Sequence, residues 1–414
     1  MMDNIKSNDN YYKKIIVALV LGWVAIWIYR TILTPIYPQI QDALGDISDS
    51  QMGLVASIYF FAYTGMQIPS GALVDKFGQK RVLIPAFLGF AAAAIIIGTS
   101  STITQVYLGA LVAGISTGSY YGAAYSLSAK HMPKEKKSFS NAIINSGSAL
   151  GMVIGLVGSS VLVAGLNVQW NYMLYIVAVI ILAVTFIFMT FIKSDKQQAD
   201  HVKAEKAIVS NDSTTQDATL FAPKQLATYF VYFATCYGYY MIVTWLPSFL
   251  VSEKGFAQSS VGYVAAIVAI TAIPGALFFS KYIDKHGEHR LKLILFLLLA
   301  AALTISLTVF SPNPAVLYIA LILYGLLGKL AIDPVLITFV SSSVTQDRLA
   351  KALGTFNFFG MASSVVAPWL TGYISDITGS KVLAFYIAAI LLVLAAIIFF
   401  LIVYRTEERH SKMA

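Results

Sequence analysis

Three charged residues lie in parts of the chain where a charge is costly. Arg30, Lys329 and Asp333 each fall within a stretch of roughly 20 or more mostly apolar residues, the length that crosses a bilayer. A charge at that depth costs at least ~2.5–3.5 kcal/mol on insertion scales, and such residues tend to mark function. The three residues therefore suggest two cations that can hold an anion and one acid that can accept a proton.

Arg30 lies past the middle of the first apolar stretch. A guanidinium at this depth can clamp a carboxylate or a phosphate through two parallel hydrogen bonds. The alternative is structural, because the side chain can also extend towards the membrane surface or bond to carbonyls that Pro35 leaves unpaired. We favour anion binding and keep the structural alternative open.

Lys329 and Asp333 are four residues apart, so they share one face of a helix. In one interpretation they neutralise each other as a static pair. In the other, Asp333 accepts a proton and releases Lys329 to hold an anionic substrate, since burial can raise the pKa of an acid by several units. Pro334 lacks a backbone donor and predicts a bend in this helix.

Polar side chains in other apolar stretches are candidates for hydrogen bonding to a polar solute. These are Tyr120 and Tyr121 in the fourth stretch, Tyr237 and Tyr240 in the seventh, and Asn357 in the eleventh. The alternative is that the tyrosines pack in the core or form interfacial belts.

The elements that carry these residues are predicted to be membrane spans. Of the 414 residues, 58% are hydrophobic and 12% are charged, whereas soluble domains carry about a quarter charged residues. We predict an all-α membrane protein with twelve spans, at about 15–37, 52–74, 82–100, 103–129, 141–164, 172–192, 225–250, 259–280, 291–310, 314–341, 351–374 and 382–404.

A polar stretch at 193–224 divides these spans into six and six. We therefore predict an N-terminal bundle at 1–192, a flexible cytoplasmic linker at 193–224 and a C-terminal bundle at 225–414. The single cysteine, Cys236, excludes an internal disulfide bond.

The distribution of positive charge predicts the orientation. If the N-terminus is cytoplasmic, only Lys254 and Lys381 of the 28 Lys and Arg residues fall on outside segments, and only Arg30 and Lys329 fall within spans. The rest face the cytoplasm, so both termini are predicted there. The net charge of +8 then reflects topology and requires no nucleic-acid partner.

Two loops share the pattern D-K-x-G-x-x-R. One follows the second span at 71–81 and the other follows the eighth span at 284–290. Both occupy the same place within their six-span halves, which indicates an internal repeat. At these residues the chain resembles the major facilitator superfamily, whose loop pattern G-x-x-x-D-[RK]-x-G-x-[RK]-[RK] the first copy matches at every position. The second copy is degenerate, with Ser280 in place of the first glycine.

The resemblance implies that these loops form a latch that favours the outward-facing state. Its members would be Gly71, Asp75, Lys76, Gly78, Lys80 and Arg81 in the first copy, and Asp284 and Arg290 in the second. Asp75 is expected to face the helix N-terminus of the eleventh span, and Asp284 that of the fifth. The alternative is that these are ordinary topology charges.

The fifth span carries Gly147, Gly151 and Gly155, a smooth face for close helix contact. The segment 141–151 is similar to the same helix in the anion–cation symporter branch of the superfamily, whose members carry organic acids. Organic-anion members often have an arginine in the first helix, which the resemblance assigns to Arg30.

No enzyme signature, phosphate-binding loop, cofactor motif or metal-ligand spacing stands out. The sequence therefore predicts a monomeric secondary transporter of the cell membrane that moves a small organic anion, a carboxylate or sugar acid, together with protons. The alternative is a proton-coupled efflux transporter for drugs or metabolites.

Overall fold

The computed structural model describes residues 2–131, 137–193, 221–344 and 349–405. Within these ranges the chain forms helices and no β-strand. Most of the predicted linker lies outside the described residues, so the boundaries at 192 and 224 stay predictions.

The chain divides into two compact units. The first comprises Met1–Ile47, Leu54–Asn211 and Gln258–Gly262, and the second comprises Ser48–Gly53, Asp212–Ala257 and Tyr263–Ala414. The helices up to residue 193 are α1 (Met2–Ile32), α2 (Tyr37–Leu44), α3 (Asp49–Phe77), α4 (Gln79–Gly98), α5 (Ile103–His131), α6 (Lys137–Ser159) and α7 (Trp170–Phe191). Those after residue 221 are α8 (Pro223–Ser252), α9 (Gln258–Lys285), α10 (Arg290–Phe310), α11 (Pro314–Leu327), α12 (Lys329–Ser342), α13 (Leu349–Thr378) and α14 (Val382–Phe399).

Helices pack in corresponding pairs within each unit. In the first unit α1 packs on α6, and α4 packs on α5 and α7. In the second unit α8 packs on α13, and α10 packs on α11 and α14. The order of pairing is the same in both, as expected for the internal repeat.

Nine spans in the described part of the chain are long and apolar enough to cross a membrane. The helices α3, α5 and α13 are outside that set, and they coincide with the predicted second, fourth and eleventh spans. The structure therefore shows a helical protein with many membrane-spanning candidates, and the number twelve stays a prediction.

The first turn of α3 is anchored within the second unit. The backbone N–H groups of Asp49 and Ser50 donate to the carboxylate of Asp376 at 2.9 and 3.0 Å. Lys381 pairs with the Asp49 carboxylate at 2.5 Å. Burial alone would raise the pKa of Asp376, but the hydrogen bonds from Ser50 and Asp49 hold it below its ordinary value. An acidic cap at a helix N-terminus satisfies backbone donors that no helical carbonyl reaches.

The predicted tenth span is interrupted at Gly328 and not at Pro334. Gly328 separates α11 from α12 with φ −82° and ψ −150°, and a Cβ there would lie 2.5 Å from the carbonyl oxygen of Tyr324. Only a glycine fits that space, so the interruption is set by the sequence. Pro334 lies inside the continuous helix α12. The interruption makes Lys329 the first residue of α12.

The glycine face predicted in the fifth span is confirmed. A Cβ at Gly151 would lie 2.4 Å from the carbonyl oxygen of Val24 in α1, and Gly147 and Gly155 approach the same helix as closely. The helices α1 and α6 therefore meet backbone to backbone, and this contact holds the helix that carries Arg30.

We predict that Gly151→Ala destabilises the protein, because the added methyl group forces α1 and α6 apart at a cost of about 1–3 kcal/mol. Gly158→Ala is the matched control, since it lies in the same helix with no atom within 4 Å of the added Cβ. There alanine is expected to be neutral or to stabilise through its better helix propensity. Thermal unfolding of the two purified variants measures the difference, and equal melting temperatures would contradict the close contact.

Candidate functional site

Arg30 stands in the last turn of α1 and is held by a side chain of α3. Its Nε donates to the hydroxyl oxygen of Tyr59 at 2.9 Å. The Tyr59 hydroxyl is also 2.8 Å from the hydroxyl of Thr117 in α5, and that threonine hydroxyl lies 2.8 Å from the carbonyl oxygen of Ala113. Three helices of the first unit therefore fix the direction of the guanidinium group.

Aromatic rings surround the guanidinium of Arg30. Its Cζ lies 4.5 Å from the ring centre of Tyr63, 5.0 Å from that of Trp27, and 5.3 Å from those of Tyr59 and Phe60. A guanidinium is attracted to aromatic faces at these distances, by roughly 0.5–2 kcal/mol each. The rings attract the guanidinium through their faces and contribute no negative charge of their own.

Lys329 and Asp333 form an ion pair within α12 of the second unit. Lys329 Nζ lies 2.5 Å from Asp333 Oδ2, and the two side chains are 9% and 19% exposed. Asp333 Oδ1 is buried and accepts no hydrogen bond from the residues that the structure describes. The pair is therefore formed in this conformation, with one carboxylate oxygen left over.

The Lys329 ammonium also lies against tyrosines of α8. Its Nζ is 5.4 Å from the ring centre of Tyr232 and 5.5 Å from that of Tyr239. Tyr232 is itself stacked on Phe356 of α13, with ring centres 3.9 Å apart. Lys329 is therefore at the meeting point of three helices of its unit.

The two tyrosines predicted in the fourth span occupy different environments. Tyr120 is fully buried, its hydroxyl donates to the carbonyl oxygen of Leu19, and its ring lies 5.2 Å from that of Trp23. This residue packs α5 against α1, which is the structural alternative, because its hydroxyl is already used. Tyr121 is 44% exposed, and its contact with a solute stays a prediction.

The candidates in the second unit are mostly buried. Tyr240 is buried and its hydroxyl lies 3.6 Å from the sulfur of Met361, one helical turn from Asn357 in α13. Asn357 is half-buried. Tyr237 is 1% exposed, with its ring 6.3 Å from Phe233. All three residues stay predicted contacts, with Tyr237 and Tyr240 buried in the unit.

The predicted latch residues lie at loop ends. Asp75, Lys76, Arg81 and Asp284 are exposed, and Gly78 adopts the positive φ of 83° that favours glycine in the turn. A Cβ at Gly71 would meet no atom within 4 Å, so this glycine makes no close contact here.

Two basic latch residues have partners within their own units. Lys80 Nζ donates to the carbonyl oxygen of Met189 at 2.5 Å. Arg290 Nη1 donates to the hydroxyl of Ser342 at 2.7 Å. The latch itself stays a prediction.

Sequence reasoning missed the residues that position the two cations. Tyr59, Tyr63 and Thr117 surround or orient Arg30, and Tyr232 lies against Lys329. The four-residue spacing of Tyr59 and Tyr63 was a usable signal, because it places both rings on one face of α3.

The chain matches the family model of the Major Facilitator Superfamily at residues 19–368 and 228–413. It therefore belongs to that superfamily and is a multi-pass membrane transport protein, as the resemblance of its loops predicted.

Its relatives include the hexuronate transporter of Bacillus subtilis strain 168, which is 26% identical over 92% of this chain and 92% of that protein. A putative tartrate transporter of Agrobacterium vitis is 24% identical over 89% of this chain and 88% of that protein. Among solved structures, a bacterial homolog of the human lysosomal transporter Spinster, in an inward-facing and occupied conformation, matches with a TM-score of 0.77. It is 16% identical and covers 94% of this chain and 96% of its own, a likeness that concerns the fold alone.

We predict that Asp333→Leu destabilises the protein by about 3 kcal/mol, because it leaves the buried Lys329 ammonium without its carboxylate. The double variant Lys329→Met with Asp333→Leu is expected to recover most of that loss, since two apolar side chains carry no uncompensated charge. Thermal unfolding of the single and double variants provides the comparison. A double variant no more stable than the single one would show that the pair does not balance the buried charge.

Proposed function

We propose that the protein is a secondary active transporter that moves a small organic anion, a carboxylate or sugar acid, across the cell membrane. The observation that carries this proposal is the fixed orientation of Arg30 by Tyr59 inside a ring of neutral aromatic side chains. A guanidinium held in this way is prepared to receive a carboxylate, and little side-chain entropy is left to lose on binding.

The balance of buried charge supports an anionic substrate. Arg30 and Lys329 fall within predicted spans, and Asp333 is the one acid clearly placed there. Two relatives are named as a hexuronate transporter and a putative tartrate transporter, and hexuronate and tartrate are both hydroxylated carboxylates. We propose that this chain transports substrates of the same chemical class.

Proton coupling is assigned to Asp333. When this carboxylate is ionised it neutralises Lys329 at 2.5 Å. Protonation removes the negative charge, so Lys329 becomes a net cation that can hold an anion. Uptake of a proton and binding of the substrate are then mutually favourable, which is the requirement for symport.

The transport cycle in this proposal is alternating access by two six-helix halves. Both termini are cytoplasmic, following the positive charge of the loops. The loops at 71–81 and 284–290 act as the latch that stabilises one of the two states.

Arg30 is tested by uptake of radiolabelled hexuronate or tartrate into proteoliposomes. We expect Arg30→Gln to lower uptake at least tenfold, because a charge-assisted pair contributes about 1.5–3 kcal/mol. Arg30→Lys should be intermediate, since lysine keeps the charge and loses the two-pronged geometry. Arg405→Gln is the control, because it removes one exposed positive charge far along the chain. Full uptake by Arg30→Gln, or a wild-type preference for cationic amphiphiles, would contradict the anion proposal.

Asp333 is tested by imposing a pH gradient on the same proteoliposomes. The wild type is expected to accumulate substrate when protons flow in the same direction. Asp333→Asn should lose this accumulation while retaining exchange of labelled for unlabelled substrate, because a neutral side chain mimics one state of the cycle. The exposed Asp42→Asn is the matched control. Gradient-driven accumulation by Asp333→Asn at the wild-type level would rule out Asp333 as the coupling group.

A further inference from the structure

A cavity lies where the end of α9 meets the start of α10, within the second unit. Its volume is about 330 Å³, and its walls include Phe278, Phe279, Tyr282, His289, Lys292 and Phe296. None of these residues belongs to the site proposed for the substrate. The cavity has an apolar end and a cationic end, and each end suits a different part of an amphipathic ligand.

The apolar end opens outward through two phenylalanines. Phe278 is 62% exposed and Phe296 is 54% exposed, although both stand in apolar helices that are candidates to span the membrane. Large apolar side chains exposed on such helices face hydrocarbon. Phe279 and Leu293 close the inner wall and are buried. This end of the cavity therefore fits an acyl chain.

The other end carries the polar groups. Lys292 is exposed at the cavity wall, and the Tyr282 hydroxyl lies 3.2 Å from His289 Nδ1. Glu288 Oε1 lies 4.0 Å from His289 Nε2, on the side of the ring away from that tyrosine contact. The Lys292 ammonium can donate to a phosphate group, and the Tyr282 hydroxyl can do so when the Nδ1–H of His289 donates to its oxygen.

The surrounding loop is positively charged. Lys281, Lys285, Arg290 and Lys292 outnumber the acids Asp284 and Glu288 in the segment 281–292. The Arg290 side chain donates a hydrogen bond to Ser342 and does not line the cavity. Among the four lysine and arginine side chains of this segment, Lys292 is the one that lines it. A basic pocket between helices at the membrane surface is the arrangement that recognises anionic lipid head groups.

Three rings of the cavity wall form a stack. The ring centre of Tyr282 lies 6.3 Å from that of Phe278 and 6.4 Å from that of His289, and both pairs are close to parallel. The stack runs from the apolar end to the polar end. It gives the head group and the acyl chain one continuous surface.

We propose that this cavity binds an anionic diacyl phospholipid, with its phosphate at Lys292 and Tyr282 and one acyl chain along Phe278 and Phe296. A free anion would not use the two exposed phenylalanines, and a zwitterionic lipid would not match the excess of positive charge. An anionic phospholipid matches both the exposed phenylalanines and the excess of positive charge.

The test is native mass spectrometry of the purified full-length protein titrated with dioleoyl phosphatidylglycerol or dioleoyl phosphatidylcholine. We expect the wild type to retain the anionic lipid preferentially. Lys292→Gln should weaken that binding about fivefold, because a lysine near an anionic head group contributes about 1 kcal/mol. Phe296→Ala should weaken it as well. Lys285→Gln is the matched control, since it removes the same charge from the same loop without lining the cavity.

Three results would overturn the proposal. Equal weakening of lipid binding by Lys285→Gln and Lys292→Gln would show a diffuse charge effect. Binding of phosphatidylcholine as tightly as phosphatidylglycerol would exclude recognition of charge. Full competition by inorganic phosphate at millimolar concentration would show a simple anion site. Lys292→Arg guards against misfolding, because it keeps the charge and is expected to bind the lipid at the wild-type level.

Discussion

The free-energy cost of a buried charge is the constraint on which this structure depends. Lys329 is 9% exposed and stands at the first position of α12, where the partial positive charge of the helix N-terminus adds to its own. This position is unfavourable for a lysine unless a negative charge lies close. Asp333, one turn further along the helix, supplies that charge in the conformation described. Any event that neutralises Asp333 leaves two positive features together, and an anion is then the species that restores the balance.

Arg30 meets the same cost in another way. Its positive charge is spread over a planar group, and the side chains around it are aromatic rings and hydroxyl groups. These neighbours attract the guanidinium through the faces of their rings and through one hydroxyl group. Asp333 in the second unit is a carboxylate, and it is the group to which we assign proton coupling. In the proposed cycle the first unit attracts the anion through Arg30, and the second unit responds to a proton through Asp333.

Local spacing predicted the contacts that lie along one helix. The four-residue interval brings Lys329 to Asp333, and the same interval places three glycines on one face of α6. Contacts between distant parts of the chain were not predictable in this way. Tyr59 is 29 residues from Arg30, and Thr117 is 58 residues from Tyr59.

The interruption at Gly328 was missed for a related reason. A proline is a strong local signal, but the backbone broke where a glycine could approach the Tyr324 carbonyl. Tyr120 showed the same limit, because its type suggested a solute contact whereas packing assigned it to the core.

The proposed lipid cavity and the Lys329–Asp333 pair are connected through one helix. Arg290 is the first residue of α10, and Lys292 of the cavity lies half a turn further on. The guanidinium of Arg290 bonds to Ser342, the last residue of α12, and lies 5.7 Å from the ring centre of Phe339 in that helix. The start of α10 cannot shift without stretching this bond or moving the end of α12. Gly328 separates α12 from α11, so α12 is a distinct helix of 14 residues. A lipid bound at the proposed cavity would hold the start of α10 and, through Arg290, would also restrain the helix that carries Asp333.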